Sequence, residues 1–244
     1  MHKEEAKLVK EFSRFAHHYD DYSVIQAEVA KTLVAKVPNI KYNTIIDIGC
    51  GSGGVYRNIK SNNFLFEKFI AVDLSQEMLS LHPSLGKIVK VCADFNKSKM
   101  YKTFSYDRNN ILLSSSALQW SEDLDFTLLE FSKRFEKAHF AIFTSNTFKT
   151  LHKIAKLKSP IYSRLQLQEI VQKYYSATFE IQQYRLYFES VRDMFSYIKK
   201  SGVSGGEKKL SYRQAKHLMK VYPLNYLEFE VLFVKGENKV KLDA

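Results

Sequence analysis

Ile45-Ile46-Asp47-Ile48-Gly49-Cys50-Gly51-Ser52-Gly53-Gly54 is the stretch on which the fold of this chain turns. Isoleucines around a single acid make a short strand buried on both faces, and the glycines that follow open a loop where no Cβ keeps a ligand off the backbone. A helix-like stretch comes next, so the segment reads as the strand, loop and helix corner of an α/β sheet. Glycine is otherwise scarce: of nine in 244 residues, four stand here and three more are Gly202, Gly205 and Gly206. A hydrophobic fraction of 45% with 26% charged residues is enough for a sizeable core and excludes disordered, collagenous and small disulfide-stapled classes.

Outward from the loop, apolar runs at Thr44–Ile48, Phe69–Leu74, Ile88–Cys92, Ile111–Leu113 and Phe140–Thr144 alternate with helix-like stretches. That alternation predicts five buried parallel strands joined by crossovers. Glu122–Lys137 carries a helical stripe after an N-cap at Ser121. Beyond Thr150 the chain predicts a strand over Phe179–Phe188, helices over Val191–Lys200 and Tyr212–Lys220, and a last strand over Asn225–Lys235. The chain reads as one domain over 1–244: a helical cap to 42, a ligand-binding core over 43–148, a basic elaboration over 149–220, and a last strand and tail.

Gly49, Gly51 and Gly54 also fit the dinucleotide spacing G-x-G-x-x-G, so that ligand class stays open at this point. The acid two residues before Gly49 argues for another. An anionic pyrophosphate is repelled by a carboxylate there, whereas an ammonium or sulfonium is attracted to Asp47. Asp73 ends the second strand 22 residues beyond Gly51, placed to accept from ribose hydroxyls. Asp94 ends the third beside Phe95, a carboxylate for an adenine amino group next to an aromatic face. Taken singly, the three also read as a buried structural acid, a helix-capping residue and a turn former.

Together the three acids and the loop resemble the class I S-adenosylmethionine-dependent methyltransferases. The resemblance implies a Rossmann-like α/β fold, with a mainly parallel seven-stranded sheet, helices on both faces and a helical substrate-side elaboration. It implies that Asp47, Gly49, Gly51 and Gly53 hold the amino-acid end of S-adenosylmethionine, Asp73 the ribose, and Asp94 with Phe95 the adenine, with Tyr19, Leu74, Met78 and Ser114 also at the cofactor. Three further features are similar to the malonyl-acyl-carrier-protein O-methyltransferases of biotin synthesis. They are Phe12-x-x-x-Ala16-x-x-Tyr19, Ala117-x-Gln119-Trp120 and Tyr222-Pro223-Leu224. The helix ending at Lys199-Lys200 resembles that family's substrate side, and Ser115 stands where its pattern has asparagine.

That family implies attack by the free carboxylate of a malonyl thioester on the sulfonium methyl, giving a methyl ester and S-adenosylhomocysteine. A carboxylate is already ionised at pH 7, so no general base is required. Tyr19, Gln119 and Trp120 are the candidates for orienting it. No metal is expected, because the seven histidines show no zinc spacing.

Charge points to the partner. The net charge is +11, and residues 149–220 hold 15 basic against 5 acidic side chains. Such a surface suits an acidic macromolecule, which the resemblance identifies as acyl carrier protein, with Lys199, Lys200, Arg213, Lys216 and Lys220 as contacts. Two cysteines and no signal or membrane-length apolar run read as a cytoplasmic protein. Methylation of another small acid, a quinone or RNA, or a non-catalytic cofactor-binding partner protein, are the alternatives.

Overall fold

The computed structural model describes residues 22–84, 86–200 and 212–239. Tyr19, Leu85 and Gly202–Gly206 lie outside them, and the side chains of Lys199 and Lys200 are likewise not described.

Helix α1 (Val24–Ala35) precedes strand β1 (Tyr42–Ile48) and α2 (Gly54–Ser61). Then come β2 (Phe66–Asp73), α3 (Gln76–Leu81), β3 (Ile88–Cys92) and α4 (Ser98–Tyr101). After β4 (Ile111–Ser115), a 3₁₀ turn (Leu118–Trp120) leads to α5 (Leu124–Ser132) and β5 (Lys137–Phe143). The rest is α6 (Lys149–Ala155), α7 (Arg164–Tyr174), β6 (Tyr175–Tyr187), α8 (Val191–Lys200), α9 (Tyr212–Val221) and β7 (Tyr226–Asn238). The seven strands form one sheet in the order β3-β2-β1-β4-β5-β7-β6. The first five are mutually parallel, and β7 alone is reversed between β5 and β6.

Strand periodicity divides the apolar residues between two cores. Ile45 and Leu113 face the one that includes α1 and α2 through Val29, Leu33 and Ile59. Ile46, Ile48 and Leu112 face the other, with Leu128 and Phe131 of α5 and Leu167 and Val171 of α7. Helices therefore cover both faces, as parallel strands require.

Three expectations need correction. Strand β3 is not buried: it is an edge strand, and Val89 is 41% exposed because β2 is its only neighbour. Helix α5 is capped not by Ser121 but by Asp123, whose carboxylate accepts from the Phe126 N–H. The Ser121 hydroxyl is engaged with Thr127 instead. The same helix stops at Ser132 rather than reaching 137, its last carbonyl accepting from the Asn238 side chain on β7.

Candidate active site

At the carboxyl edge of the sheet the glycine loop turns from β1 into α2. Gly49 has φ +70°, and a Cβ there would lie 2.2 Å from the Ala117 Cβ. The loop after β4 thus presses directly on the loop after β1, a contact only glycine permits. Gly53 caps α2 in the left-handed region at φ +96°, and a Cβ on it would strike His82 and Pro83 at 2.8–2.9 Å. Met78, buried in α3, packs its Cε towards Gly51.

Beside the loop lies a cavity of about 400 Å³. Its walls come from the glycine loop and α2 (Gly49 to Ser52, Gly54, Val55, Arg57), from Ser23, Gln26, Ala27 and Ala30 at α1, and from Ser115 and Ser116 after β4. The Arg57 guanidinium donates to the Ser52 carbonyl at 2.8 Å and holds that wall.

The three acids differ in environment. Asp47 is fully buried within β1, neither of its oxygens has a hydrogen-bond partner among the described residues, and it lies beneath the loop rather than in the cavity wall. Burial, and secondarily the nearby Asp73, pushes its carboxyl well above the ordinary range. Asp73 accepts from the Gly51 N–H at 2.8 Å and the Ser75 N–H at 2.9 Å. Burial raises its pKa, and those two bonds oppose the rise. The carboxylate thereby ties the glycine loop to the start of α3 while staying partly accessible. Asp94 closes a turn by accepting from the Asn96 N–H at 2.8 Å, and Asn96 in turn accepts from the Glu122 N–H. Both Asp94 and Phe95 are partly exposed at the end of β3. Leu74, also partly exposed, follows Asp73.

Beyond β4 the site departs from expectation. Ser114 is fully buried and its hydroxyl donates to the Ile48 carbonyl at 2.8 Å, stitching β4 to β1, so it is spent on the fold rather than offered to a ligand. The next two residues line the cavity instead, each with a buried hydroxyl oxygen that has no partner among the described residues. Ser116 sits at φ +60°, with its N–H held by the Ala141 carbonyl at 2.8 Å. Gln119 is buried, its amide nitrogen donating to the Ser116 carbonyl at 2.6 Å and its Oε1 left without a partner. Gln119 is not among the residues that line the cavity. Trp120 is partly exposed at the end of the 3₁₀ turn.

The fit to S-adenosylmethionine follows from these orphaned atoms. Gln26 Oε1, Gln119 Oε1 and both Asp47 oxygens are buried around one loop and lack donors among the described residues. An acceptor-rich surround suits a ligand bearing an ammonium and a sulfonium and disfavours an anionic pyrophosphate. Sequence reasoning singled out the glycines, the acids and the segment from Ser114 to Trp120, but not Gln26 and Arg57, which also line the cavity. The signal for the serines was the run Ser114-Ser115-Ser116, whose strand alternation sends the first hydroxyl inward. Neither cysteine is bridged: Cys50 is buried in the loop, its thiol pushed up by burial, and Cys92 is exposed.

Comparison with known proteins bears on this geometry. Residues 46–139 match the family described as a methyltransferase domain. The malonyl-[acyl-carrier protein] O-methyltransferase of Priestia megaterium is 26% identical, over 96% of this chain and 93% of that protein. The protein of the same name from Bacillus cytotoxicus is 25% identical, over 81% of this chain and 75% of that one. Among solved structures, the YcgJ protein of Bacillus subtilis superposes with a TM-score of 0.63 at 10% identity, covering 87% of this chain and 99% of that one. A SAM-dependent methyltransferase from Archaeoglobus fulgidus gives 0.51 at 15% identity, covering 87% and 94%. At these identities the structural likeness is one of fold. Carrying that domain across its glycine loop, on the seven-stranded sheet of the class I enzymes, the chain is an S-adenosylmethionine-dependent methyltransferase.

Proposed function

We propose that the acceptor is the free carboxylate of a malonyl thioester on acyl carrier protein, and that the product is the malonyl methyl ester used in pimeloyl and biotin synthesis. The observation that carries this reading is the extent of similarity to the Priestia protein, which runs through the C-terminal elaboration and covers 96% of this chain.

S-adenosylmethionine supplies a methyl group on a sulfonium when bound. The chain's part is to hold and align. Asp47 with Gly49, Gly51 and Gly53 serves the amino-acid end, Asp73 the ribose, and Asp94 with Phe95 the adenine, flanked by Leu74 and Met78. The family resemblance also assigns Tyr19, outside the described residues, to the methionine part. An acceptor that is already anionic at pH 7 needs no proton removed. Rate enhancement then comes from alignment and exclusion of water, which is worth several orders of magnitude when the reacting atoms are held in near-attack geometry.

The basic elaboration supports an acidic partner. Helices α6 and α9 pack together, and Lys149, Lys153, Arg213, Lys216 and Lys220 on them are all exposed. They, and by the family resemblance Lys199 and Lys200, are the candidate contacts for the carrier, acting mainly on the encounter rate and weakening as salt rises.

Methyl-labelled S-adenosylmethionine offered with malonyl carrier protein and, separately, with bulk tRNA tests the acceptor class. Label is expected on the carrier alone; label on tRNA alone overturns the reading.

A further inference from the structure

On the edge of the sheet opposite the glycine loop, the first residues of β1, β4 and β5 and the end of β7 frame a smaller cavity of about 70 Å³. At a rise of about 3.3 Å per residue, β1 sets it roughly 20 Å from the cofactor loop. Part of its lining is apolar or already satisfied. Pro38, Ile40 and Ile111 belong to that part, as does Tyr42, whose hydroxyl donates to the Pro38 carbonyl at 2.8 Å. The rest is cationic around a buried imidazole. His139 is 3% exposed, and its ring has no hydrogen-bond partner among the described residues. Lys235 stands opposite it across the β5–β7 ladder, and Lys137, two residues earlier on β5, shares its face. Neither lysine forms an ion pair among the described residues, and Lys137 makes only a long bond to the Arg108 carbonyl at 3.4 Å. Glu237, opposite Lys137 in the ladder, is exposed and is the one acid in the described lining.

Two ammonium groups against one carboxylate leave the cavity net positive, and the imidazole beside them is desolvated without compensation. One kind of ligand removes both deficits. At about 30 Å³ per water the space holds two or so waters, which is the room a single phosphate or sulfate group needs. We propose that this cavity binds a small oxyanion of the phosphate or sulfate class, held by Lys137, Lys235 and the ring of His139. The proposal is independent of the acceptor reading above. It carries a pH dependence of definite sign. Burial, aided by Lys235, lowers the pKa of His139 to about 4 in the free protein, so the neutral ring offers one N–H. A dianion beside the ring favours the imidazolium, which offers two, so binding draws a proton onto His139 and strengthens as pH falls. The other charged or titratable groups facing the ring are Lys137 on β5, Lys235 and Glu237 on β7, and Tyr42 on β1. Burial holds the Tyr42 phenol up at about 12, so it stays neutral throughout. From β4 and the segment before β1 the lining is apolar.

The test titrates the full chain with sulfate, a dianion across the range used, by calorimetry with ionic strength held constant in chloride. Saturable binding is expected, and Lys137→Met and Lys235→Met should each weaken it about tenfold, the size of one lost charge-assisted hydrogen bond. Between about pH 8 and about pH 5 the wild-type affinity should rise at least about fivefold. His139→Gln keeps a donor but takes up no proton, so it should lose that rise. The Cε1–H resonance of His139 in the wild type reads the same step without a variant, and its titration should move to higher pH in sulfate. No saturable binding by the wild type overturns the inference. So does an affinity unchanged in both lysine variants, and so does a His139 titration that sulfate does not move. Inorganic phosphate and glycerol phosphate, titrated at about pH 8, separate the sources: tighter binding of the free ion assigns the site to it, and tighter binding of the monoester assigns it to a phosphorylated molecule.

Discussion

On the β2–β3 side of the crevice, Asp73 and Asp94 are held by backbone N–H groups from Gly51, Ser75 and Asn96. On the β4 side, Ser115, Ser116 and Gln119 end in buried oxygens with no partner among the described residues. The same sheet edge thus carries one half whose polar groups are fixed by the fold and one half whose groups depend on a ligand. The first half is held by the fold itself: local turns aim its carboxylates. The second half has already borne its desolvation cost in folding, and it recovers that cost only when a partner supplies the missing hydrogen bonds. Asp47 belongs with the second half although it sits beneath the first, since it is the buried acid with no partner of its own.

The comparison can be broken or sharpened, beginning with the largest effect. Gly49→Ala drives a Cβ to within 2.2 Å of Ala117 and forces φ +70° on an L-residue, so it separates the two halves. Methyl transfer should fall by more than about 100-fold and stability by about 1–3 kcal/mol, read by turnover and urea melts. Asp73→Ala removes the tie to the glycine loop and, on the proposed reading, the partner of the ribose. Its S-adenosylmethionine affinity should drop about 100-fold or more by calorimetry, and unchanged affinity would remove Asp73 from the ribose site. Asp47→Asn should do the opposite to the fold: cofactor affinity falls about tenfold while the free protein becomes no less stable, because a buried unpartnered charge is deleted. Its pH signature has a definite sign. A carboxyl whose folded pKa is raised favours the protonated form, so wild-type stability is lost as pH rises from about 4 through the raised value, and the asparagine variant should lack that loss.

His139, on β5 among the buried residues, supplies a contrast outside the crevice. Burial, aided by Lys235, lowers its pKa to about 4. The folded protein therefore binds fewer protons than the unfolded chain below about 6.5, and stability falls as pH drops from there towards 4. The loss should be of order 2–3 kcal/mol and absent in His139→Leu, by melts at pH 7.5 and 4.5. At the small end, Lys173 and Asp125 form an exposed ion pair at 2.7 Å between α7 and α5. Lys173→Ala should leave the melting temperature and methyl transfer essentially unchanged, because an exposed ion pair is screened by solvent.

How far each half was legible in the sequence follows from the same contrast. Glycines and strand-end acids are local signals: Asp47, Gly49, Gly51, Asp73 and Asp94 reveal themselves by type and spacing, because a loop needs positive φ and a turn needs an acceptor within a few residues. The resemblance implied a mainly parallel seven-stranded sheet, but the strand order and the reversal of β7 were not legible, since alternation encodes neither order nor direction. The bond that ties the Ser114 hydroxyl to the Ile48 carbonyl could not be read from the sequence, because the two residues lie 66 positions apart. The edge exposure of β3 was invisible for a related reason, because Ile88–Cys92 is apolar enough to pass for a buried strand and only the sheet order makes it an edge.

The most direct test of the central claim is the mass of malonyl carrier protein before and after incubation with this protein and S-adenosylmethionine, followed by mild alkali. The account predicts a gain of one methylene on the malonyl group that alkali removes as methanol, the behaviour of a methyl ester. A carrier of unchanged mass, or a methyl group that survives alkali, would contradict it.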